Sequence, residues 1–404
     1  MGKGQVTLFL CGDVMLGRGV DQILPRPGDP ALMEPTIRDA RAYVGLAEDA
    51  NGPIPRPVDF LWPWGDALPM LDRARPDVRV VNLETSVTTS DEFAVGKPVH
   101  YRMHPANLPC LTAARPDVCV LANNHVLDFG RTGLRETLAV LTRAGVRTAG
   151  AGRDAARARR PAVVPLAGGG RVLVLACGMR SSGIPRTWAA TEDTAGVDYV
   201  AEPSRVAAVK ITERLRRVKR PGDIVVVSVH WGSNWGYDVS AAEMRWARAL
   251  IDGGADLVHG HSSHHARPAE TYRGKLILYG CGDFIDDYEG IDGYERYRDD
   301  LRPAYLVTVD RETGLLAGAV GGAAVLGGAG DDGDAGAVEA AGGGAGDGAA
   351  VRVVLFQAHR MRLRHASRED TRWLRDVLDR AGRDLGPGAR IERRPDGTLA
   401  LRGV

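Results

Sequence analysis

Ala255-Asp-Leu-Val-His-Gly-His-Ser-Ser-His-His265 carries four of the chain's ten histidines: His259, His261, His264 and His265. The cluster follows a short aliphatic run and has a glycine inside it. Imidazoles crowded at a strand end make a poor surface, because protonating neighbours together is disfavoured. Neutral, they are the commonest ligands for zinc, iron and manganese. A hydrogen-bonded histidine corner without metal fits the same residues. What separates the two readings is whether other strands send carboxylates, amides and imidazoles to the same place.

They do. Just upstream, Asp223-Ile-Val-Val-Val-Ser-Val229 reads as a buried strand that delivers His230-Trp231-Gly232, and a helix from Ala241 to Asp252 leads on to the cluster. Further back, Gln5 to Cys11 ends in Gly12-Asp13, Val78 to Val81 in Asn82-Leu-Glu84, and Val118 to Ala122 in Asn123-Asn124-His125. Downstream, Leu276 to Tyr279 ends in Gly280-Cys-Gly-Asp283. Strands alternating with helical patterns (Asp66–Arg75, Gly130–Ala144, Ser204–Val218) imply βαβ units and a layered α/β fold. Such sheets bind ligands outside the carboxyl ends of their strands. Five strands thus end in metal-competent or proton-handling residues: Asp13; Asn82 with Glu84; Asn124 with His125; His230; and the cluster. Mixed carboxylate, amide and imidazole ligation suits Mn, Fe or Zn better than a structural thiolate site does. Two such ions about 3.5–4 Å apart can share a bridging hydroxide.

Length and composition set outer bounds. A chain of 404 residues has ample core. Its net charge of +1 gives no electrostatic case for nucleic acid or anionic lipid. Five cysteines form no C-x-x-C pair and read as reduced core thiols of a cytoplasmic protein. No stretch reaches the ~18 apolar residues of a membrane helix, and Val6 to Cys11 reads as a first strand, not a leader. The Pro- and Gly-rich stretch from Pro25 to Trp64 reads as an ordered surface excursion.

Gly12-Asp-Val-Met-Leu, Asn82-Leu-Glu, Ala122-Asn-Asn-His-Val-Leu-Asp-Phe-Gly130, Val229-His-Trp-Gly232 and Gly260-His-Ser-Ser-His264 occur in this order. Together they resemble the CapA family of poly-γ-glutamate capsule biosynthesis, whose domain is related to the calcineurin-like metallophosphoesterases. The resemblance runs from about Thr7 to Phe284. It implies a four-layer α/β/β/α sandwich spanning residues 1–316, completed by residues 351–404. It also implies a site with two divalent ions held by Asp13, Glu84 (in the bridging position), Asn124, His230, His261 and His264. His125 resembles the histidine that assists the leaving group. Met15 stands where the superfamily pattern has a ligand histidine, and one extra residue separates His261 from His264. Which of His259, His261 and His264 bind metal is therefore open, and His259 and His261 share a face if the strand runs through Gly260.

Other residues admit two readings. Glu84 fits a bridging ligand or a helix cap, and Asn82 lies beside it. Asp128 fits a helix cap or a partner of His125. Arg102 and Arg180, in loops, fit either an anion clamp or solvated surface. Asp283 fits a pocket wall or a turn residue. His265 falls just past the site, and Trp231 reads as packing. The function implied is metal-dependent hydrolysis, first of phosphoesters. Amide chemistry on γ-glutamyl groups of a small molecule or polymer, or a non-catalytic part in a biosynthetic complex, are the alternatives.

Residues 317–350 are almost all Gly, Ala and Asp, and read as a disordered insert because they offer little to bury. Replacing them with a short Gly-Ser linker is predicted to leave the melting temperature nearly unchanged, since each doubling of loop length costs only ~0.6 kcal/mol. A large drop in calorimetric stability would show that the segment contributes to the fold.

Overall fold

The computed structural model describes residues 4–317, 349–385 and 389–403. Most of the Gly/Ala/Asp insert lies outside the described residues. The chain opens with β1 (Gln5–Val14), β2 (Val78–Leu83), β3 (Val118–Val120) and β4 (Arg147–Ala149), side by side and parallel. It then builds a second sheet from β5 (Arg171–Met179), β6 (Ile224–His230), β7 (Leu257–His261), β8 (Ala269–Tyr272) and β9 (Lys275–Leu278). Here the order is β5-β6-β7-β9-β8, all parallel except β8. Finally β10 (Asp283–Ile285), β11 (Leu301–Asp310), β12 (Val351–Ala358), β13 (Ala389–Arg393) and β14 (Leu399–Gly403) return to the first sheet. The C-terminal strands extend that sheet as β1-β11-β12-β14-β13, antiparallel throughout.

Alternation along the strands explains the layers. On β6, Val225, Val227 and Val229 pack outward against Ile211 and Leu215 of one helix (Arg205–Val218) and Trp246 and Leu250 of the next (Ala241–Asp252). Ile224 and Val226 point the other way, into a core shared with the first sheet. Ser228 and His230 continue that inward row, as His259 and His261 continue it from Leu257 on β7. The first sheet carries its own helices on its outer side: Ala67–Ala74, Leu108–Ala113 and Arg368–Ala381 contribute Leu71, Leu111 and Leu374 to the core. The result is an α/β/β/α sandwich, with the inward polar rows meeting at the carboxyl ends of both sheets.

Several boundaries differ from the sequence reading. β1 runs on through Asp13 because β10 pairs with its end, Asp13 opposite Asp283. Likewise β2 continues through Asn82 and Leu83, whereas β3 stops at Val120. The excursion from Pro25 to Trp64 is not irregular throughout, since Arg41–Asn51 forms a helix that buries Tyr43, Val44 and Ala47. Arg102 lies in a two-residue strand paired with Ser86–Val87, not in a loop. Trp231 packs, as expected: it stacks on Tyr279 at 6.0 Å and its indole N–H donates to the Tyr279 carbonyl. All five cysteines are free and buried. Among the described residues, no helix is long and apolar enough to cross a membrane.

Phe284, fully buried next to Asp283, packs edge-on against Phe9 and Phe356 and tilts onto Trp64. Phe284→Ala should therefore cost about 3–5 kcal/mol in urea unfolding. A loss under about 1 kcal/mol would mean that this layer is not packed as described.

Candidate metal centre

Each site residue is placed by strand pairing. The end of β1 lies between two neighbours, so Asp13 has Asn82 of β2 on one side and Asp283 of β10 on the other. Asn82 donates to Asp13 Oδ1 at 2.7 Å and to Glu84 Oε2 at 2.9 Å, and its own oxygen accepts from Asn123. The Ser262 amide donates to Asp13 Oδ2 at 3.3 Å. Asp13, Glu84 and Asp283 are all buried. Burial, then the neighbouring Asp283, raises Asp13 to about 7. Glu84 is pushed well above the carboxylate range by burial and by Asp13 and Asp283. Burial opposes ionisation of Asp283 too, but His264 and Arg302 hold it below its ordinary value.

The imidazoles come from the facing sheet. His259 Nε2 donates to the Cys11 carbonyl at 2.9 Å, which ties the two sheets together. Held neutral by burial, its Nδ1 accepts from the Ser228 hydroxyl at 3.0 Å. That leaves the Ser228 oxygen to accept from His261 Nε2 at 2.8 Å. His261 Nδ1 is consequently a bare lone pair, 2.7 Å from His230 Nδ1 and 3.9 Å from Asp13 Oδ1. Neutral His230 has one proton to share between His261 Nδ1 and Asn124 Oδ1, the latter at 2.9 Å. One of those contacts therefore brings lone pairs together.

A divalent cation fits this donor set. Asp13, His230 and His261 each offer an atom within 4.8 Å of the others, and so do Asp13, His264 and Asp283. Asp13 is common to both groups. Glu84, the bridging residue by resemblance, has Oε1 3.6 Å from His230 Nε2 and 3.9 Å from His125 Nε2. The buried, mutually repelling carboxylates and the lone-pair contact left at His230, to His261 or to Asn124, would each be relieved by a cation between them.

His125 belongs to neither group. Its Nδ1 faces Asp128 Oδ2 at 2.6 Å and Lys97 Nζ at 2.9 Å. Lys97 also donates to Asp128 Oδ1 and to the Asn124 carbonyl. Asp128 accepts from the Tyr101 amide at 2.7 Å, so it holds His125 instead of capping the following helix through its side chain. Burial lowers His125 to about 4, with Asp128 pulling up and Lys97 down. A tyrosine shell closes the back: Tyr101 lies edge-on to His125 at 4.5 Å, Tyr288 to His264 at 5.1 Å, and Tyr101 donates to Tyr288. Arg18, buried and paired with Asp287, sits over Tyr101.

The remaining candidates lie further out. Both ring nitrogens of His259 are engaged, by Cys11 and Ser228, as are those of His265, by the Ala266 carbonyl and the Gly236 amide. The Arg102 guanidinium is spent on the carbonyls of Ser90 and Asp29. Arg180 is exposed and opens the short turn Arg180–Ser182, which Ser182 ties to the His230 carbonyl at 2.9 Å. Sequence reasoning missed Lys97 and Ser228 and underweighted Asp283. Ser228 alone left a signal, its polar side chain two residues before His230 on the inward row of an otherwise aliphatic strand.

Histidines kept neutral by burial make a pH prediction. His125, His259 and His265 are each lowered to about 4, and His230 and His261 are lowered well below the ordinary value. Unfolded imidazole titrates near ~6.5, so between ~4 and ~6.5 the native protein binds fewer protons than the unfolded chain. Stability contributed by these groups is lost as pH falls through that window. Asp13, Glu84, Asp286 and His264, raised, act in the opposite sense, so the outcome is read ring by ring. In metal-free protein at about pH 5, nitrogen-15 NMR should show the rings of His125 and His259 neutral. Protonated rings at that pH would contradict the neutral-imidazole assignment.

Residues 7–288 match the family described as "Bacterial capsule synthesis protein PGA_cap". The chain is 48% identical over 397 residues, 98% of its length and 96% of the relative's, to a "Probable polyglutamine synthesis accessory protein" of Mycobacterium tuberculosis. It is 27% identical over 295 residues, 73% of its length and 66% of the relative's, to the "PGA biosynthesis protein CapA" of Bacillus subtilis. The "Capsule biosynthesis protein CapA" of Bacillus anthracis matches at 24% over 312 residues, 77% of this chain and 66% of that one. With its strand-end motifs inside the matched region, the chain belongs to the bacterial capsule synthesis protein PGA_cap family.

Proposed function

We propose that the chain is a metal-dependent hydrolase of phosphoesters that serves polyglutamate or capsule-type polymer synthesis. The observation that carries this reading is a buried imidazole, His125, outside both candidate ligand groups but with Nε2 3.9 Å from Glu84 Oε1. Divalent cations in such a centre lower the pKa of bound water and polarise a phosphoryl or carbonyl oxygen. The protein's own residues then have separable tasks. Asp128 fixes the His125 ring through Nδ1 and leaves Nε2 for the reacting group. An anionic phosphoryl group arriving at Nε2 raises the proton affinity of a ring otherwise held near 4, so His125 takes up a proton and delivers it to the leaving oxygen. Lys97 keeps Asp128 ionised and, being partly exposed, adds positive charge near an incoming anion. Arg180, exposed on the turn tied to His230, supplies a second cation at the mouth. Trp235, stacked on Tyr294 at 3.9 Å and 5.3 Å from His264, forms an aromatic side wall.

The relatives' names, a polyglutamine synthesis accessory protein and a PGA biosynthesis protein, support a second reading, in which the same centre acts on γ-glutamyl amides. There the protonated His125 would serve the leaving amine.

His125→Ala should keep bound metal and lower turnover by ~10²–10⁴ against a panel of phosphoesters and γ-glutamyl peptides. The loss should be steepest for poor leaving groups. His230→Ala and Glu84→Gln should lose metal and activity together. Full activity of His125→Ala on every hydrolysed substrate would remove His125 from the reaction. Metal loss matching that of His230→Ala would make it a ligand instead.

A further inference from the structure

We infer that Asp283 is a metal ligand, and that with Asp13 and His264 it forms the oxygen-rich one of the two cation positions that the resemblance implies. The inference rests on the metal-binding part of the reading above and names a residue that the sequence left as a turn or pocket residue. Asp13 and Asp283 are register partners on adjacent parallel strands, so their carboxylates enter the site side by side. The strands are pressed together where they carry them: the Asp13 amide donates to the Gly282 carbonyl at 3.1 Å. A Cβ on Gly12 would lie 1.6 Å from that same oxygen. No residue but glycine fits there, and the close approach has the effect of juxtaposing two buried acids.

Their compensation is unequal: His264 and Arg302 hold Asp283 ionised, whereas burial beside Asp283 raises Asp13 to about 7. Asp283 Oδ1 is 3.0 Å from His264 Nδ1, while Oδ2 is buried and accepts no hydrogen bond. Arg302 reaches Asp283 Oδ2 only at 3.5 Å, because its other nitrogen is committed to Asp286 at 2.7 Å. Its Nη1 and Nε make no hydrogen bond at all. A fully buried aspartate whose Oδ1 faces His264 and whose Oδ2 has only a long ion pair, beside a second aspartate, offers a cation two oxygen donors and one nitrogen, all within 4.8 Å of one another. The other subsite has the reverse balance, two imidazoles and the shared Asp13, with the Asn124 amide oxygen 2.9 Å from His230.

Donor chemistry then separates the ions. An oxygen-rich set suits Mn²⁺, whereas an imidazole-rich set suits Zn²⁺ or Fe²⁺.

The test is equilibrium dialysis of the full chain against Mn²⁺, followed by electron paramagnetic resonance. Wild type should take up about two equivalents and give the exchange-coupled signal of ions ~3.5–4 Å apart. Asp283→Asn should take up one and give an isolated Mn²⁺ signal, while still binding one equivalent of Zn²⁺. His264→Asn, from the same subsite, should behave alike and stands in if Asp283→Asn does not fold by circular dichroism. If Asp283 only orients His264, the variant would still saturate at two ions with affinity weakened ~10–100-fold, and the inference is wrong. Wild type that binds a single Mn²⁺ overturns it too. Neither result bears on hydrolysis: two ions without turnover on any substrate would sink the proposed function and leave the subsites standing.

Discussion

Three carboxylates, Asp13, Glu84 and Asp283, are buried within reach of one another where the two sheets meet. Leaving all three ionised in a low-dielectric seam without a cation is costly, and the two that lack a full counter-charge are driven toward their neutral forms. The rest of the architecture holds this arrangement in place. Glycine at 12 lets β1 close on the Gly282 carbonyl, Asn82 bridges two of the acids with one amide, and Asn123 holds Asn82. Every one of these contacts keeps the carboxyl groups together instead of dispersing them, which is the opposite of what stability alone would select.

The second sheet supplies the matching half. The relay from the Cys11 carbonyl through His259 and Ser228 to His261 is a chain of three buried hydrogen bonds with one consistent proton order. Its outcome is a bare nitrogen 2.7 Å from His230 Nδ1 and 3.9 Å from Asp13 Oδ1. His259 thus contributes without facing the site: it spans the sheets and sets the tautomer of the residue two positions on. The same economy is seen at His125, whose Asp128 and Lys97 partners fix one nitrogen and leave the other facing Glu84 at 3.9 Å.

Much of this was legible in the sequence. The aliphatic strands, the helices from Ala241 to Asp252 and from Arg368 to Ala381, and the convergence of Asp13, Glu84, Asn124, His230 and His261 all follow from patterns within single segments. What was not legible depends on pairing between distant segments. Asp283 looks like a turn residue until β10 is seen beside β1, 270 positions away by register. Lys97 sits in an irregular stretch with no periodicity to mark it, and only tertiary folding brings it onto Asp128. The helix Arg41–Asn51 was hidden by surrounding prolines, whose breaking effect stops at its ends. Arg102 carried the charge of an anion clamp, but its guanidinium had already been claimed by two backbone carbonyls.

Convergence of acids and neutral imidazoles at one seam is the observation on which everything else rests, and a bound cation is what we propose it serves. Elemental analysis of the full chain purified without chelator addresses it directly. The arrangement predicts one to two equivalents of Mn, Fe or Zn, roughly the occupancy of a one- or two-metal centre. Protein that carries no metal, and takes up none on titration at neutral pH, would contradict it.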